Sequence, residues 1–434
     1  DDKMNSKDFV ANRILPYSNQ QLGAAIGGPI VRDKLHYFLS YERENEPSTI
    51  ITTPNALPAF TWSFPTKLVQ NSFLGRADWQ LAPKDHLTTR MSYWDWDNPF
   101  TQVAGTEHPS QAAKRSRQAI NVANTSVVNH GGELMALWEG GSATILDAQS
   151  LATRELKVWS PEYAGMPFSA HPKIEPDGTL WNFGVTSSQG LLSIYRVRPS
   201  GELAQATTLK VDNIAMVHDF AVTEQHLVFL LPPLVFDRAR SAAGETFLDS
   251  HVWKPELGMR ALVLHKDHLD TPQWFELPAG FVFHIGNACE DRGVIRLDYI
   301  RSPSAWNATT GLKELMQGRY EPHEHPCVAL VEIDLKAGRV RQELLPHVAE
   351  FPRVDPRVVG RPYAQVFAAA RIDPGERPGF DAVSRLDLAS GQRDIYRYGR
   401  DLMVEEHLFV PRRDGSGREG DGWLVGTALD LVRR

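Results

Sequence analysis

The chain has 434 residues, of which 42% are apolar and 23% are charged, and its formal net charge is −7. This composition is that of a globular protein, and the length predicts two units or one large β domain with an added segment. The negative charge argues against nucleic acid as a partner, because binding it requires a concentrated basic face. Cys289 and Cys327 are the only cysteines, so the sequence predicts no disulfide framework and fits a reducing compartment.

No segment of the sequence approaches the ~20 consecutive apolar residues of a membrane-spanning helix. The longest apolar run, residues 227–236, is interrupted by Pro232 and Pro233. The first residues lack the apolar stretch of a secretory signal, and the chain does not start with methionine. We therefore expect a fragment of a longer protein.

Residues 1–120 are predicted to form long β-hairpins with turns at residues 32–34 and 83–85. Apolar and polar side chains alternate near the second turn, with Phe73, Ala77, Trp79 and Leu81 on one face and Ser72, Arg76, Asp78 and Gln80 on the other. Such alternation is typical of a membrane barrel wall, and a soluble sheet with one hydrated face produces it as well. Both interpretations stay open on periodicity alone.

The sequence of residues 22–34 and 37–42 resembles the plug-to-barrel region of TonB-dependent outer-membrane receptors, and residues 98–100 and 105–110 continue the resemblance. The resemblance implies a receptor-like β-barrel fragment at residues 1–120 and an outer-membrane location for that fragment. A receptor needs a closed barrel, so an isolated piece with open strand edges is not expected to span a membrane.

Residues 121–434 contain shorter hairpins. An apolar strand end is followed by an aspartate, a small turn and a new strand at residues 145–153, 331–338 and 384–391, and a related pattern occupies residues 194–202. This irregular self-similarity favours an all-β fold of the β-propeller type. A β-sandwich is the alternative.

Three histidines in this second region are candidate metal ligands: His171 in Ser-Ala-His-Pro-Lys-Ile, His218 in Val-His-Asp-Phe and His284 in Phe-His-Ile-Gly-Asn. They are too far apart in sequence to share a helix or a hairpin, and their spacing fits one ligand per blade on a propeller axis. Imidazole is a ligand that suits iron, zinc or copper. Any one of them taken alone is more often an ordinary core or surface residue.

These three contexts resemble the iron-ligand segments of the carotenoid cleavage oxygenases, and further similar segments surround them in the same order, at residues 124–128, 130–132, 137–139, 350–355, 360–361, 406–411 and 421–424. The resemblance covers about residues 121–434. It implies a seven-bladed β-propeller, incomplete in this chain, with Fe²⁺ bound by four histidines on its axis. The implied reaction cleaves a conjugated double bond of a carotenoid, apocarotenoid or stilbene-like substrate with O2.

By motif position, the resemblance assigns Glu139 and Glu406 as carboxylates that bind the distal N–H groups of the metal ligands. His407 stands where the family usually has proline, which is a departure from the family's pattern beside Glu406. Phe220, Phe281 and Phe283 adjoin the ligands and are predicted to be mostly plain core residues.

The family's fourth histidine is expected near the C-terminus in a His-Gly context, but the last histidine of the chain is His407. The receptor-like segment is expected to stand in place of the first blade of the oxygenase, and the two parts are expected to join near residues 116–123. We therefore expect weak or absent cleavage activity. The alternatives are an outer-membrane transport component and a non-catalytic binding propeller.

The oxygenase part is expected in the cytoplasm, with peripheral membrane contact as one route of substrate uptake. Two further groups of polar residues could be mistaken for functional sites and are interpreted as ordinary surface segments. Residues 323–325 (His-Glu-His) are predicted to form an exposed loop, and residues 290–292 (Glu-Asp-Arg) are predicted to form a solvated turn.

Overall fold

The computed structural model of the chain describes residues 19–52, 62–82, 85–97, 123–163, 165–214, 216–242, 245, 248–319, 324–372 and 378–432. Its strands are β1 (Gln20–Val31), β2 (Leu35–Thr52), β3 (Trp62–Ala82), β4 (Asp85–Asp97), β5 (Ser126–His130), β6 (Glu133–Leu137), β7 (Thr144–Leu146), β8 (Thr153–Leu156), β9 (Lys173–Ile174), β10 (Leu180–Thr186), β11 (Leu191–Val197), β12 (Leu203–Lys210), β13 (Ala221–Val222), β14 (His226–Leu231), β15 (Leu234–Phe236), β16 (His251–Trp253), β17 (Met259–His265), β18 (His268–Leu277), β19 (Phe281–Asp291), β20 (Val294–Ser302), β21 (Cys327–Asp334), β22 (Arg339–Arg353), β23 (Gln365–Ala370), β24 (Ala382–Asp387), β25 (Arg393–Arg397), β26 (Leu402–Pro411) and β27 (Gly422–Asp430). The helices are α1 (Arg238–Ala242), a π-helix (Asn307–Gly311), α2 (Leu312–Met316) and the 3₁₀ segments Pro161–Tyr163, Ser187–Gln189, Pro255–Leu257 and Pro356–Val358.

Strands β1 to β4 form an antiparallel sheet in chain order. Residues 32–34 connect β1 to β2 as predicted, whereas residues 83–84 of the other predicted turn lie outside the described residues. The predicted alternation is confirmed, because Tyr41 pairs with Phe73 and Phe73 pairs with Tyr93 on one face. None of the described side chains of this sheet is buried, and Tyr93 is 62% exposed. The apolar face of the sheet is therefore open to solvent.

The remaining strands form the sheets of a β-propeller. Four-stranded sheets are built from β5–β8, from β9–β12 and from β13, β14, β17 and β18. Strands β19 to β25 form a seven-stranded sheet in which β22 pairs with β21 along its first part and with β23 along its last. Two blades are thus joined through β22, and the hairpin β26–β27 follows them. The predicted all-β propeller is confirmed.

The repeated aspartates close the hairpins of the propeller. Oδ1 of Asp147 accepts hydrogen bonds from the backbone N–H groups of Gln149 and Ser150, at 3.1 and 2.9 Å. Asp334 and Asp387 accept equivalent bonds from the backbone two or three residues further on. A side chain that bonds its own backbone in this way stabilises a tight turn, which explains the sequence pattern of the blades.

The hydrophobic core lies between neighbouring sheets. The rings of Phe183, Phe220 and Phe229 pack together with centroids 5.2 to 5.4 Å apart, between the sheet of β9–β12 and the sheet that begins with β13. Phe220 and Phe281 are fully buried, as predicted for core residues. Both cysteines are free thiols.

Candidate metal centre

Three histidines lie on, or just before, the terminal strands of three successive sheets. His171 stands two residues before β9, His218 stands three residues before β13, and His284 lies within β19. Strands β9, β13 and β19 are each the terminal strand of their sheet. The pairing of β19 with β20 is irregular between Val282 and Ile285, and such a bulge redirects the side chain it contains. The irregular backbone at this point presents His284 to the other two rings.

The Nε2 atoms of the three rings converge. The Nε2 atoms of His171 and His218 are 2.8 Å apart, and those of His218 and His284 are 3.2 Å apart. All three candidate ligand atoms lie within 4.8 Å of one another. The predicted clustering of these three histidines is confirmed, and their role as metal ligands stays a prediction.

Two of the rings contact a carboxylate through their other nitrogen. Nδ1 of His284 lies 2.6 Å from Oε2 of Glu350, and Nδ1 of His218 contacts Oε1 of Glu139. A carboxylate at this position keeps the proton on Nδ1 and increases the basicity of Nε2. The Nε2 lone pairs of His218 and His284 therefore face the common centre.

Burial and neighbouring charges act on the rings in opposite directions. Burial by itself lowers the pKa of His218, but the Glu139 carboxylate outweighs burial and raises that pKa above its usual value. Burial, together with the His218 and His284 rings, lowers the pKa of His171 well below its usual value. A low pKa keeps His171 neutral, which is the form of imidazole that binds metals.

The donor set fits a metal ion. Facing lone pairs repel each other unless a proton or a cation lies between them, and the carboxylates hold the His218 and His284 protons on Nδ1. Nitrogen ligands about 2.1 Å from a metal ion, at right angles to each other, are about 3 Å apart. The observed Nε2 separations of 2.8 and 3.2 Å match that distance.

The three rings form part of the wall of a cavity of about 560 Å³. Aromatic side chains dominate the wall beside the rings: Phe283 packs against His218 with ring centroids 5.2 Å apart, and Phe351 packs against His284 at 5.1 Å. The other lining residues are Asn124, Thr125, Ser302, Trp306, Asn307, Gly311, Leu312, Glu314, Leu315, Arg319, Glu324, His325, Pro326, Val348, Glu350, Arg371, Pro378, Gly379, Phe380 and Glu406. Phe283, predicted to be core, is thus a cavity residue.

The two predicted carboxylates occupy different positions. Glu139 contacts His218, whereas Glu406 lines the cavity and bonds Nε of Arg353 at 2.5 Å. The role of Glu406 behind a metal ligand stays a prediction. The backbone beside Glu406 is irregular, because the pairing of β26 with β27 shifts register between Val404 and His407. His407 is buried and bonds the hydroxyl of Tyr398 at 3.0 Å.

The two polar groups predicted to be surface segments, residues 323–325 and 290–292, have contacts that the sequence did not predict. Glu324 and His325 belong to the cavity wall, and Glu324 accepts bonds from the backbone and hydroxyl of Ser304, while His323 lies outside the described residues. The prediction of a solvated turn is wrong for Glu290. Its carboxylate is buried against Nδ1 of His226 at 2.6 Å, because a neighbouring sheet supplies a partner that local sequence does not reveal.

Glu350 contacts His284, and it was not among the predicted site residues. Its position depends on Phe351, whose φ of 56° lies in a region that aromatic residues rarely adopt. In this conformation the N–H of Phe351 donates to Oε2 of Glu350 at 2.6 Å, the same oxygen that contacts His284. The Glu-Phe-Pro-Arg segment was part of the family resemblance, and this was the only signal for Glu350.

A family model described as "Retinal pigment epithelial membrane protein" matches residues 69–434. The chain belongs to this carotenoid cleavage oxygenase family. Within the family, the apocarotenoid-15,15'-oxygenase of Synechocystis is 32% identical over 321 residues, which are 70% of this chain and 64% of that protein. The lignostilbene-α,β-dioxygenase isozyme III of Sphingomonas paucimobilis is 30% identical over 336 residues, 71% of this chain and 66% of that protein. The chain thus spans slightly less than two thirds of these oxygenases.

Solved structures of the oxygenase family have the same fold, a seven-bladed β-propeller. The lignostilbene dioxygenase of Pseudomonas brassicacearum is 26% identical with a TM-score of 0.63, over 83% of this chain and 81% of that one. The cobalt-substituted apocarotenoid oxygenase of Synechocystis is 22% identical with a TM-score of 0.66, over 95% of this chain and 88% of that one.

A second family model, described as "Outer membrane beta barrel domain", matches residues 1–59. The oxygenase family model starts at residue 69, so it includes strand segments that the sequence analysis assigned to the receptor-like part. Across the described residues, no helix has the length and apolar character needed to cross a membrane.

Proposed function

We propose that this chain is a non-haem iron(II) oxygenase that cleaves a conjugated carbon–carbon double bond of an apocarotenoid, carotenoid or stilbene-like compound. The observation that carries the proposal is the convergence of three imidazole Nε2 atoms in the wall of a cavity of about 560 Å³. The relatives named as apocarotenoid oxygenase, lignostilbene dioxygenase and resveratrol cleavage oxygenase support the same reaction class.

His171, His218 and His284 would hold the metal ion, and iron(II) supplies the activation of O2 when bound. The protein provides a neutral set of nitrogen ligands. Glu139 and Glu350 keep the Nδ1 protons of His218 and His284 in place, so both rings present Nε2 in a constant orientation. A fixed ligand orientation determines where a reacting bond has to lie.

The cavity wall would bind the substrate by its shape. Phe283, Phe351 and Phe380 form an aromatic surface beside the histidines, which suits a flat conjugated chain and excludes water from it. Glu314 and Arg319 also belong to the wall. Charged side chains in the wall of a mainly apolar cavity favour a substrate that carries an oxygenated group.

The test is to load purified chain with ferrous iron without oxygen, then to add oxygen with either an apocarotenal or a hydroxystilbene and follow the loss of conjugated absorbance. His284→Ala should abolish both bound iron and turnover. His226→Gln is the matched control, because His226 is also a buried histidine with a carboxylate partner, Glu290, but does not line the cavity. Turnover that survives in His284→Ala, or iron-loaded wild type that cleaves neither substrate, would contradict the proposal.

A second candidate function concerns residues 1–120, as a fragment of an outer-membrane barrel. It is supported by the solvent-exposed apolar face of β1–β4, where Tyr93 is 62% and Ile26 is 61% exposed, and by the barrel family match. A lipid-facing barrel wall has such an apolar, aromatic face. The test is co-sedimentation of the full chain with phosphatidylcholine vesicles, which Tyr93→Ser and Ile26→Ser should weaken. Absence of vesicle binding by the wild type would refute this candidate.

A further inference from the structure

One buried carboxylate, that of Asp219, connects the three segments that carry the histidines. Asp219 directly follows His218, and its side chain is 3% exposed. Its Oδ1 lies 2.8 Å from Nζ of Lys173, which stands two residues after His171. Its Oδ2 accepts a hydrogen bond of 2.9 Å from the backbone N–H of Ile285, the residue that follows His284. A single side chain thus reaches the neighbours of all three rings.

The contacts of Asp219 are directional and water-excluded. Oδ1 also accepts a bond of 2.7 Å from the N–H of Phe220, so the carboxylate orientation is constrained from three sides. The ammonium of Lys173 is mostly buried too, with 14% of its side chain exposed. Charge-assisted hydrogen bonds in a buried environment are short and strong, and they hold backbone segments from separate sheets at fixed distances.

We propose that Asp219 is a positioning residue for the metal centre, which holds the segments of His171, His218 and His284 in register without contacting the metal. The inference rests on the proposed function, because it needs the three histidines to bind a metal ion. The segments of these histidines come from three different sheets, and the ladder of β19 is interrupted beside His284. The carboxylate of Asp219 supplies a link between the segments where backbone pairing does not.

The test uses cobalt(II) as the probe on the full, tag-free chain, with two readouts: the affinity for cobalt and the visible ligand-field bands, which report coordination geometry. Asn in place of Asp219 can accept from Ile285 or face Lys173 but lacks the charge and one acceptor. Asp219→Asn should lower the cobalt affinity by about tenfold or more, which is the lower end of the loss seen when residues that orient metal ligands are mutated. The visible ligand-field bands should also shift. The double variant Lys173→Gln/Asp219→Asn should show the same two changes without a buried unpaired ammonium.

The matched control is the other buried lysine–carboxylate pair in this part of the propeller, Lys266 with Glu175, at 2.5 Å. In the described part of the chain, the side chains of Lys266 and Glu175 bond each other, the carbonyls of Thr223 and Glu224, and Trp181, rather than residues that adjoin His218 or His284. Lys266→Gln/Glu175→Gln should therefore lower stability while leaving the cobalt bands and affinity unchanged.

Each outcome decides between the two ideas. A wild-type chain that binds no cobalt through its histidines overturns the proposed function and this inference with it. Wild-type bands and affinity in the Lys173/Asp219 double variant overturn the inference alone. If that double variant fails to fold while the Lys266/Glu175 control folds, Asp219 has a structural role only, and the inference is likewise overturned.

Discussion

The sheet of β1–β4 and the propeller sheets that follow use the same alternation of side chains for opposite purposes. In β1–β4 the apolar face is exposed, with Met91 at 59% and Tyr93 at 62%. In the propeller, Phe229 and Phe183 of neighbouring sheets are buried against each other. Sequence period determines which side chains share a face, but only a second layer determines whether that face is buried.

The two regions also differ in the length of their strands. The strands β2 and β3 have 18 and 21 residues, whereas β13 and β9 have two residues each. Short inner strands leave irregular backbone at the centre of the propeller, and that is where His171 and His218 lie. The long regular strands of β1–β4 thus form an exposed surface, whereas the short inner strands of the propeller leave room for the histidine cluster.

The largest expected effect separates buried from exposed apolar residues. Phe229→Ala removes a fully buried ring that packs against two aromatic side chains, Phe183 and Phe220, and it should lower the free energy of unfolding by about 3–5 kcal/mol. Met91→Ala on the exposed sheet should change it by less than about 0.5 kcal/mol. Denaturant unfolding followed by circular dichroism measures both. Equal losses would show that the exposed face is covered in solution.

The second effect is a pH dependence that belongs to the propeller. Burial raises the pKa of Asp298 from 3.8 to about 6, against the lowering effect of the Tyr363 hydroxyl. Because the folded state holds the proton more tightly, this contribution to stability is complete below the unfolded pKa of about 4 and is lost as the pH rises through about 6. The loss is on the order of 3 kcal/mol at 1.36 kcal/mol per unit.

Asp298→Asn should remove this pH dependence. Oδ1 of Asp298 accepts from Tyr363 and from the N–H of Asn287, whereas Oδ2 has no hydrogen-bond partner in the described structure. The amide of asparagine can keep both bonds. The Oδ2 atom packs directly against Gly286, where any β-carbon would collide with it. The variant should be more stable than wild type at pH 8 and not at pH 4. Parallel stability curves from pH 4 to 8 would refute the assignment.

Much of the fold follows from local sequence. Alternation predicted the faces of β1–β4, and the aspartate turns predicted the hairpins of the blades, because both depend on residues close in the chain. Predictions from period and turn residues succeeded where one strand or one turn contains the whole signal. The convergence of the three histidines was indicated instead by the resemblance of their sequence contexts to a known family.

The contacts between blades were not predictable in this way. Glu350 reaches His284 only because Phe351 adopts a positive φ, and Glu290 is buried only because His226 comes from another sheet. Neither partner is marked by spacing. Long-range pairs of this kind depend on how sheets pack, which one sequence does not specify by period.

The third prediction concerns Glu350, the carboxylate that sequence reasoning missed. Glu350→Gln keeps the shape of the side chain but removes the charge that holds the Nδ1 proton of His284. Metal affinity should fall by about 10- to 100-fold. Glu332→Gln is the control, since Glu332 pairs with Arg296 on the exposed side of the same sheet. Calorimetric titration with cobalt(II) compares the variants, and equal affinities would remove Glu350 from the site.

The smallest expected effect is that of the exposed sheet on the metal centre. No described side chain of β1–β4 is buried, and the histidines and the carboxylates that contact them all follow residue 123. The double variant Trp79→Ser/Tyr93→Ser should therefore leave cobalt affinity within about twofold of wild type, as for surface substitutions worth less than about 0.5 kcal/mol. The same variant should aggregate less, because large exposed apolar patches promote association. Size-exclusion chromatography measures that second effect on the same samples. A cobalt affinity lowered tenfold would mean that the sheet packs against the propeller and supports its centre, and the contrast between surface and site would then no longer hold.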